Sequence, residues 1–524
     1  MPPNSKDLVA YTPMLHARLF SETPKFRGNH FQPLRTPLSA HPDPTAPPQP
    51  ADMYLDGNPS LDRPLFVQFC SNEPEELLKA AKYVAPYCDA VDLNLGCPQG
   101  IARKGHYGAF LQDDQDLIFR LINKLHLELD VPVTAKIRIL ETREKTLAYA
   151  KNVLDAGASI LTVHGRVREQ KGHNTGLADW SVIRYLRESL PKDTVLFANG
   201  NILRKEDVDR CLEETGADGV MSAEGNLYDP SLFAGPPENG GREYWVGKDG
   251  KGGWRMDAVM RRYLGIVYKH VLEVAEPVRK PLYLPSDPVE PISFTETEEA
   301  EDDDGPPRKK QKKEKKEKKE RSTNPSHIAM QPHLFKLLRP LVSKHHHVRD
   351  ALARCRAGDI EAFENVLQLV EGVVKDGLKR YHDSNGQSWD DESAEDERLK
   401  AAKIAEAVAR TKEFVAKAGV VPKADVVVDA ADGGQEMDES SLATVKACRR
   451  PWWIVQPYVR PLPAEALAKG ALALSKKDIA KLVKQEQEEG NTRGKTVQEG
   501  HTQVESVGKG MGKVEIPKDG LVCG

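Results

Sequence analysis

Apolar and polar positions follow two rhythms along this chain, and the change falls near residue 290. Upstream, short apolar or β-branched runs recur at 8–14, 64–70, 90–95, 132–139, 158–165, 194–199 and 219–223, and nearly every gap between them carries a helical pattern. The clearest helices are predicted after Glu73, Asp113, Glu141, Asp179 and Leu203, several with Asp, Glu or Thr in the first turn, where the helix dipole favours them. Continuous apolar strands separated by helices predict an α/β protein with a parallel sheet, and this many repeats favour a closed β/α (TIM) barrel over an open sheet. Such a barrel closes with eight strands, whereas seven runs are present and only seven residues precede Leu8. The first strand and helix are therefore expected to be missing, with the sequence an incomplete gene model truncated at its N-terminus and the sheet left with unpaired edges. A proline-rich stretch over 33–59 breaks the rhythm and predicts an exposed insertion.

Downstream, helical spacing resumes near His327 with Leu334, Leu337, Leu338 and Leu341, then Leu352, Ile360, Phe363, Val366, Leu367 and Val370. Before it, residues 296–304 hold seven acids in nine positions and residues 308–321 hold ten bases against three acids, a composition that cannot bury apolar surface. Beyond it, residues 384–446 are acidic and Ala-rich, and no aromatic residue follows Tyr458. The predicted organisation is a barrel domain over 1–290, a disordered two-signed linker over 291–325, a helical domain over 326–383, and a mostly disordered segment and tail over 384–524.

Composition narrows the class. The 524 residues are too many for one core, and no run approaches the roughly 20 apolar residues of a membrane span. The opening residues lack a basic flank leading into an apolar run, so a soluble, intracellular protein without membrane contact is expected. Seven scattered cysteines without a CxxC pair suit neither a disulfide framework nor a zinc site, so no metal is expected. A net charge of -4 provides no global attraction to nucleic acid, which leaves local basic surface to do that work.

In a barrel the chemistry sits where each strand meets its following loop. The polar residues there are Met14 and His16, Gln68, Asn94 and Cys97, Lys136 and Arg138, His164 and Arg166, Asn199 with Gly200 and Asn201, and Ala223 with Glu224 and Gly225. Gly96 and Pro98 bend the chain so as to present Cys97 at the barrel mouth; an isolated cysteine is more often a small buried hydrophobe, and the Asn-x-Gly-Cys-Pro context reverses that reading. Lys136 among apolar neighbours calls for an anion, supplied by a ligand or by an ion pair within the barrel. His164 and Arg166 could meet a ring and a phosphate, and the small residues at Asn199–Asn201 and Ala223–Gly225 let backbone N–H groups approach a phosphate. Together these positions describe a phosphorylated ring cofactor over the mouth of a barrel.

The segment Asp92-Leu-Asn-Leu-Gly-Cys-Pro-Gln-Gly-Ile-Ala-Arg-Lys-Gly-His-Tyr-Gly-Ala-Phe-Leu111 closely resembles the active-site segment of the tRNA-dihydrouridine synthases. Arg63-Pro-Leu-Phe-Val-Gln-Phe-Cys70, Ala135-Lys-Ile-Arg138, Thr162-Val-His-Gly-Arg166, Phe197-Ala-Asn-Gly-Asn-Ile202 and Gly219-Val-Met-Ser-Ala-Glu-Gly225 resemble that family in its order. Gly-His-Tyr-Gly-Ala is most similar to the eukaryotic class acting at D-loop positions 16 and 17. The resemblance covers roughly residues 8–275 as catalytic domain, and residues 333–367 are similar to the family's helical domain. It implies an FMN-dependent oxidoreductase that takes a hydride from NADPH, passes it to uridine C6 in tRNA, and protonates C5 from a cysteine. Carried over by motif, Cys97 is that acid. Gln68, Lys136, His164, Asn199, Gly200, Asn201, Ala223 and Glu224 would hold FMN, and Asn94, Arg138 and Arg166 would face the substrate uridine or nearby phosphates.

Two other readings stay open at this level: an FMN barrel reductase of a small molecule, and a tRNA-binding protein that has lost catalysis. In the helical domain Lys336, Arg339, Lys344, Arg349, Arg354 and Arg356 either track RNA phosphates or form a solvated face. His345-His-His347 is expected to be solvated. The Lys-rich run 308–321 reads as a nuclear localisation signal, a nonspecific RNA-binding arm or a plain charged linker, giving a cytoplasmic or nuclear location. Pro451-Trp-Trp-Ile-Val-Gln-Pro-Tyr458 is expected to anchor the helical region.

Overall fold

Strand positions predicted from the apolar runs line up in chain order as one parallel sheet. They are β1 (Ala10–Tyr11) with β2 (Leu15–His16), β3 (Leu65–Cys70), β4 (Ala90–Leu95), β5 (Val133–Arg138), β6 (Ile160–His164), β7 (Val195–Asn199) and β8 (Gly219–Met221). The computed structural model describes residues 8–36, 38, 49–237, 241–288, 322–418 and 441–462; the Lys-rich run 308–321 and most of the predicted linker and tail lie outside them. β1 lies within the predicted strand 8–14 and β2 begins just past its expected end at Met14, and both pair with β3. The break contains Pro13, which has no N–H to donate to a ladder. Thr12 bridges it, its amide donating to Phe66 O at 3.0 Å and its Oγ1 accepting from Gln68 N at 3.0 Å. Each strand pairs with the next in the chain through a helical crossover, and among the described residues no ladder joins β8 back to β1.

The helices begin where the sequence placed them. Asp114, Thr142 and Asp179 cap helices Gln115–Glu128, Arg143–Asp155 and Trp180–Ser189 by accepting backbone N–H bonds. These helices cover one face of the curled sheet, against Val67, Phe69, Val91, Leu93, Ala135, Ile137, Leu161, Val163, Leu196 and Ala198. The strands are not apolar on both faces. The alternate positions, pointing into the barrel, include Gln68, Asp92, Asn94, Thr134, Lys136, Arg138, Thr162, His164 and Asn199.

Two expectations of disorder or exposure are corrected by packing. In the proline-rich stretch Leu34, Leu38 and Met53 are buried in the barrel's outer core, and Leu34 and Met53 pair through an isolated antiparallel bridge. Arg35 forms a bidentate pair with Glu273, and the Tyr54 hydroxyl donates to Val271 O at 3.1 Å. In the segment expected to be disordered, helix Gln387–Ala418 forms. Its acids Glu392 and Asp396 pair with Lys344, and its Glu397 pairs with Arg449.

A second core is mostly helical and rich in aromatic residues. It takes Met330, Leu334 and Leu337 from helix Pro325–Leu337, and Phe363, Val366, Leu367, Val370 and Val374 from helix Ile360–Asp383. Two further segments join them. Upstream of the expected boundary at 290, the hairpin β9 (Tyr244–Val246) and β10 (Gly252–Trp254) leads into helix Met256–Ile266, which buries Met256, Met260 and Leu264 at i, i+4 and i+8. The expected anchor is there too: Trp452, Trp453 and Ile454 are buried, and Met256 N and Val455 N donate to Trp453 O and Trp254 O, both at 2.9 Å. His345 contacts Trp452, with ring centroids 4.3 Å apart.

Candidate active site

Parallel register sets the inward polar residues of neighbouring strands in rows. Gln68 lies opposite Asp92, and Asp92 opposite Thr134; one layer up, Asn94 lies opposite Lys136 and Lys136 opposite Thr162; at the C-terminal edge Arg138 lies opposite His164, and His164 opposite Asn199. Residues far apart in the chain thus meet because each strand is displaced by a fixed step from its neighbour. Six of the predicted site residues come together in these rows: Gln68, Asn94, Lys136, Arg138, His164 and Asn199.

Past β4 the chain turns at Gly96, Cys97 and Pro98, and its backbone is held from four sides. Asn94 Oδ1 accepts from Gly96 N at 3.1 Å and from Cys97 N at 2.9 Å. Arg138 Nε donates to Gly96 O at 2.7 Å, Ala109 N to Cys97 O at 3.1 Å, and Lys171 Nζ to Pro98 O at 2.8 Å. Gly108 has φ 65°, and a Cβ there would stand 2.8 Å from Cys97 O, so only glycine lets the two stretches meet. Cys97 itself packs with Cys70, Ala102 and Tyr107, and the partly buried Met14 and Phe110 pack against this group. Burial, with the Cys97 thiol next in effect, pushes the Cys70 thiol far above its ordinary range. No disulfide forms among the six described cysteines.

Asn94 and Arg138, expected to face substrate, therefore spend much of their hydrogen-bonding capacity on the protein. Asn94 Nδ2 donates to Gln68 Oε1 at 2.8 Å, and Arg138 Nη1 donates to Val167 O at 3.1 Å and Gln170 O at 3.3 Å. Arg166 is similarly engaged, with Nη1 donating to His164 Nε2 at 2.9 Å, Nη2 to Asn201 Oδ1 at 2.8 Å and Nε to Gly176 O at 3.0 Å. Because a guanidinium only donates, His164 accepts at Nε2 and is neutral with its proton on Nδ1. Burial, then the charges of Lys136, Arg138 and Arg166, hold its pKa well below the ordinary histidine value. Burial also brings Arg166 down to about 10, with Arg138 next in effect.

Asn199 Nδ2 donates to Met221 O at 2.9 Å, tying β7 to β8. Gly200 follows at φ 114°, and a Cβ there would fall 2.6 Å from Ala178 Cβ and 3.1 Å from His164 Cδ2. Asn201, at φ 62°, pairs through both ends of its amide with the backbone of Ala178. Ala223 precedes the short helix Glu224–Tyr228, where Glu224 is held by Arg460 at 2.7 Å through both oxygens. Arg460 comes from the region expected to be tail, and no local signal distinguished it there. Asp92, Thr134, Lys171 and Arg460 were not singled out as site residues. For the first two the signal was present: polar residues two apart from Asn94 and Lys136 on otherwise apolar strands.

Among the described residues no three His, Cys, Asp or Glu gather as a metal site, and no helix is long and apolar enough to cross a membrane. The dihydrouridine synthase family model matches residues 4–244. The tRNA-dihydrouridine(16/17) synthase [NAD(P)(+)] of Saccharomyces cerevisiae is 46% identical over 371 residues, covering 70% of this chain and 69% of that protein. Its namesake in Schizosaccharomyces pombe is 43% identical over 363 residues, 69% of this chain and 71% of that one. The mouse protein named tRNA-dihydrouridine(16/17) synthase [NAD(P)(+)]-like is 47% identical over 227 residues, 43% of this chain and 42% of its own.

Proposed function

We propose, from the premise that this chain belongs to the dihydrouridine synthase family, that it reduces uridine to 5,6-dihydrouridine at D-loop positions 16 and 17 of tRNA, with NADPH as reductant. The observation that carries the reading is the Cys97 turn, held by Asn94 and Arg138, on the same barrel rim as His164, which burial and then the charges of Lys136, Arg138 and Arg166 keep neutral.

The mouth fits flavin mononucleotide in this chain's own terms. Its cations Lys136, Arg138 and Arg166, gathered around His164, suit an anionic, phosphorylated ring. Gln68, Lys136, His164, Asn199, Gly200, Asn201, Ala223 and Glu224 are the residues that would hold it. When bound, FMN supplies hydride transfer between NADPH and uridine C6. Lys136 provides a fixed positive charge, needing no reorganisation, for negative charge that develops over the mouth. Cys97 donates the proton to uridine C5, and the hydrogen bonds on residues 96–98 hold its backbone before substrate arrives. Arg138 braces that turn and Arg166 braces His164, each keeping its charge towards the site. The uridine must leave its stack to reach the mouth, which costs least in a loosely stacked loop. Arg339, Arg349, Arg354 and Arg356 are exposed on the helical domain and contact tRNA phosphates, whereas Lys344 is committed to Glu392 and Asp396.

The test separates the two half-reactions. With Cys97→Ala, flavin content and its reduction by NADPH stay unchanged while uridine reduction slows by roughly 10²–10⁴-fold, the usual contribution of a positioned proton donor. Full turnover by the variant, or equal loss in both halves, overturns the assignment.

A further inference from the structure

The lowest polar row contains a carboxylate that the proposed chemistry leaves without a task. Asp92 is fully buried on β4; its Oδ1 accepts from Thr134 Oγ1 at 2.7 Å and its Oδ2 from Gln68 Nε2 at 2.8 Å. An ionised carboxylate only accepts, so it dictates which end of the Gln68 amide turns towards it. With Nε2 taken, Gln68 Oε1 is left to accept from Asn94 Nδ2 at 2.8 Å. Asn94 must then direct Oδ1 the other way, which is the end that receives Gly96 N and Cys97 N. The ends of an amide have nearly the same shape and opposite hydrogen-bonding sense. Turning either amide over would set N–H groups against N–H groups at the turn, or an oxygen against the carboxylate.

The geometry points to Asp92 as the positioning residue of the proton-donor turn, acting through the ordered amides of Gln68 and Asn94 to fix the backbone of Cys97. The chain Asp92–Gln68–Asn94–Cys97 is contiguous, and every member but the last is an inward-facing strand residue that cannot drift. The carboxylate is also held at a cost: burial pushes its pKa up to about 6, against the lowering effects of Thr134, Gln68 and Lys136. A residue kept only for packing would be better served there by an uncharged side chain.

The activity arm of this inference rests on Cys97 being the acid; the structural arm does not. In the flavin-loaded full chain, Asp92→Asn keeps the shape but no longer dictates the order of the amides. Hydrogen exchange at the Gly96 and Cys97 amides should speed up about tenfold and uridine reduction should slow about tenfold, while NADPH-driven flavin reduction stays within about twofold. Unchanged exchange at those two amides overturns the inference, as does an equal rise along all of β3 and β4, which would mean general loosening. Should Asp92→Asn fail to fold, Thr134→Val removes one donor and keeps the carboxylate, and the same two amides should exchange about threefold faster. No change there overturns the inference equally. If Cys97→Ala proves fully active, the acid assignment falls, while the exchange result still decides the role of Asp92.

Discussion

In the helical core the buried pair Arg255 and Asp257, with side chains 2% and 1% exposed, is closed on itself. Two guanidinium nitrogens donate to the carboxylate at 3.0 and 2.5 Å, and Nη1 donates to Arg242 O and Tyr283 O. In the lowest polar row of the barrel, Asp92 is buried as deeply, but its acceptors are filled by a hydroxyl and an amide, and burial pushes its pKa up to about 6. At the C-terminal edge of the same barrel, the pKa values of His164 and Arg166 are displaced downward. The contrast separates two uses of buried charge. A pair that satisfies itself locks a junction between segments, whereas charges held away from their ordinary pKa values by burial and by one another mark a place prepared for a ligand or a proton. The two regions also assemble differently. The barrel sheet grows strand by strand in chain order, while the helical core joins residues 244–267, 325–383 and 449–455 across long stretches of chain.

The largest effect should come from removing the third of those segments. A chain ending before residue 449 loses Trp452, Trp453 and Ile454 and uncovers Met256 and Met260, so helices 256–266 and 325–383 should lose cooperative unfolding and the protein should aggregate. A single Trp453→Ala should already cost about 3–5 kcal/mol in urea unfolding. If the shortened chain unfolds cooperatively at the same urea midpoint, the anchor is decoration and the comparison of assembly fails. Next in size, Asp257→Ala leaves a buried arginine without its carboxylate and should cost about 3–5 kcal/mol. Measured at pH 7.5 alongside Asp92→Asn, it should be by far the more damaging, and equal losses would erase the distinction between the two kinds of charge.

The smallest effect is the pH dependence of that distinction. The folded-state pKa of Asp92, about 6, exceeds its ordinary value of 3.8. Between these values the folded protein holds a proton that the unfolded chain has released, so stability falls as pH rises through the window. Lys136 and Tyr11 face the group; the lysine opposes the shift, and the tyrosine is itself held far above its ordinary pKa, mainly by burial. Wild type should therefore lose on the order of 2 kcal/mol relative to Asp92→Asn between pH 4 and 7. A difference that stays flat over that range would place Asp92 among the self-satisfied structural charges.

Much of this was legible without a structure, and the limit is physical. Strand positions, helix N-caps within a residue of Asp113, Glu141 and Asp179, the turn carrying Cys97 and the strand ends carrying His164 and Asn199 follow from local periodicity and capping, which a short window of residues determines by itself. The aromatic anchor at Trp452 and Trp453 could likewise be read from composition, because so much apolar surface needs a core. What tertiary structure alone decided is partnership. Asn94 turns inward to its own loop because Gln68 and Asp92 stand in register beside it; Lys344 meets Glu392 and Asp396 instead of solvent; Glu224 is taken by Arg460, 236 residues away. Helix 387–418 and helix 256–266 have sequences compatible with several environments, and the surface offered by distant segments selected one. Local propensity acts over a few residues, whereas register and long-range burial depend on every strand and helix laid down around a site, so the chemistry-bearing residues could be named from the sequence and the hydrogen bonds that orient them could not.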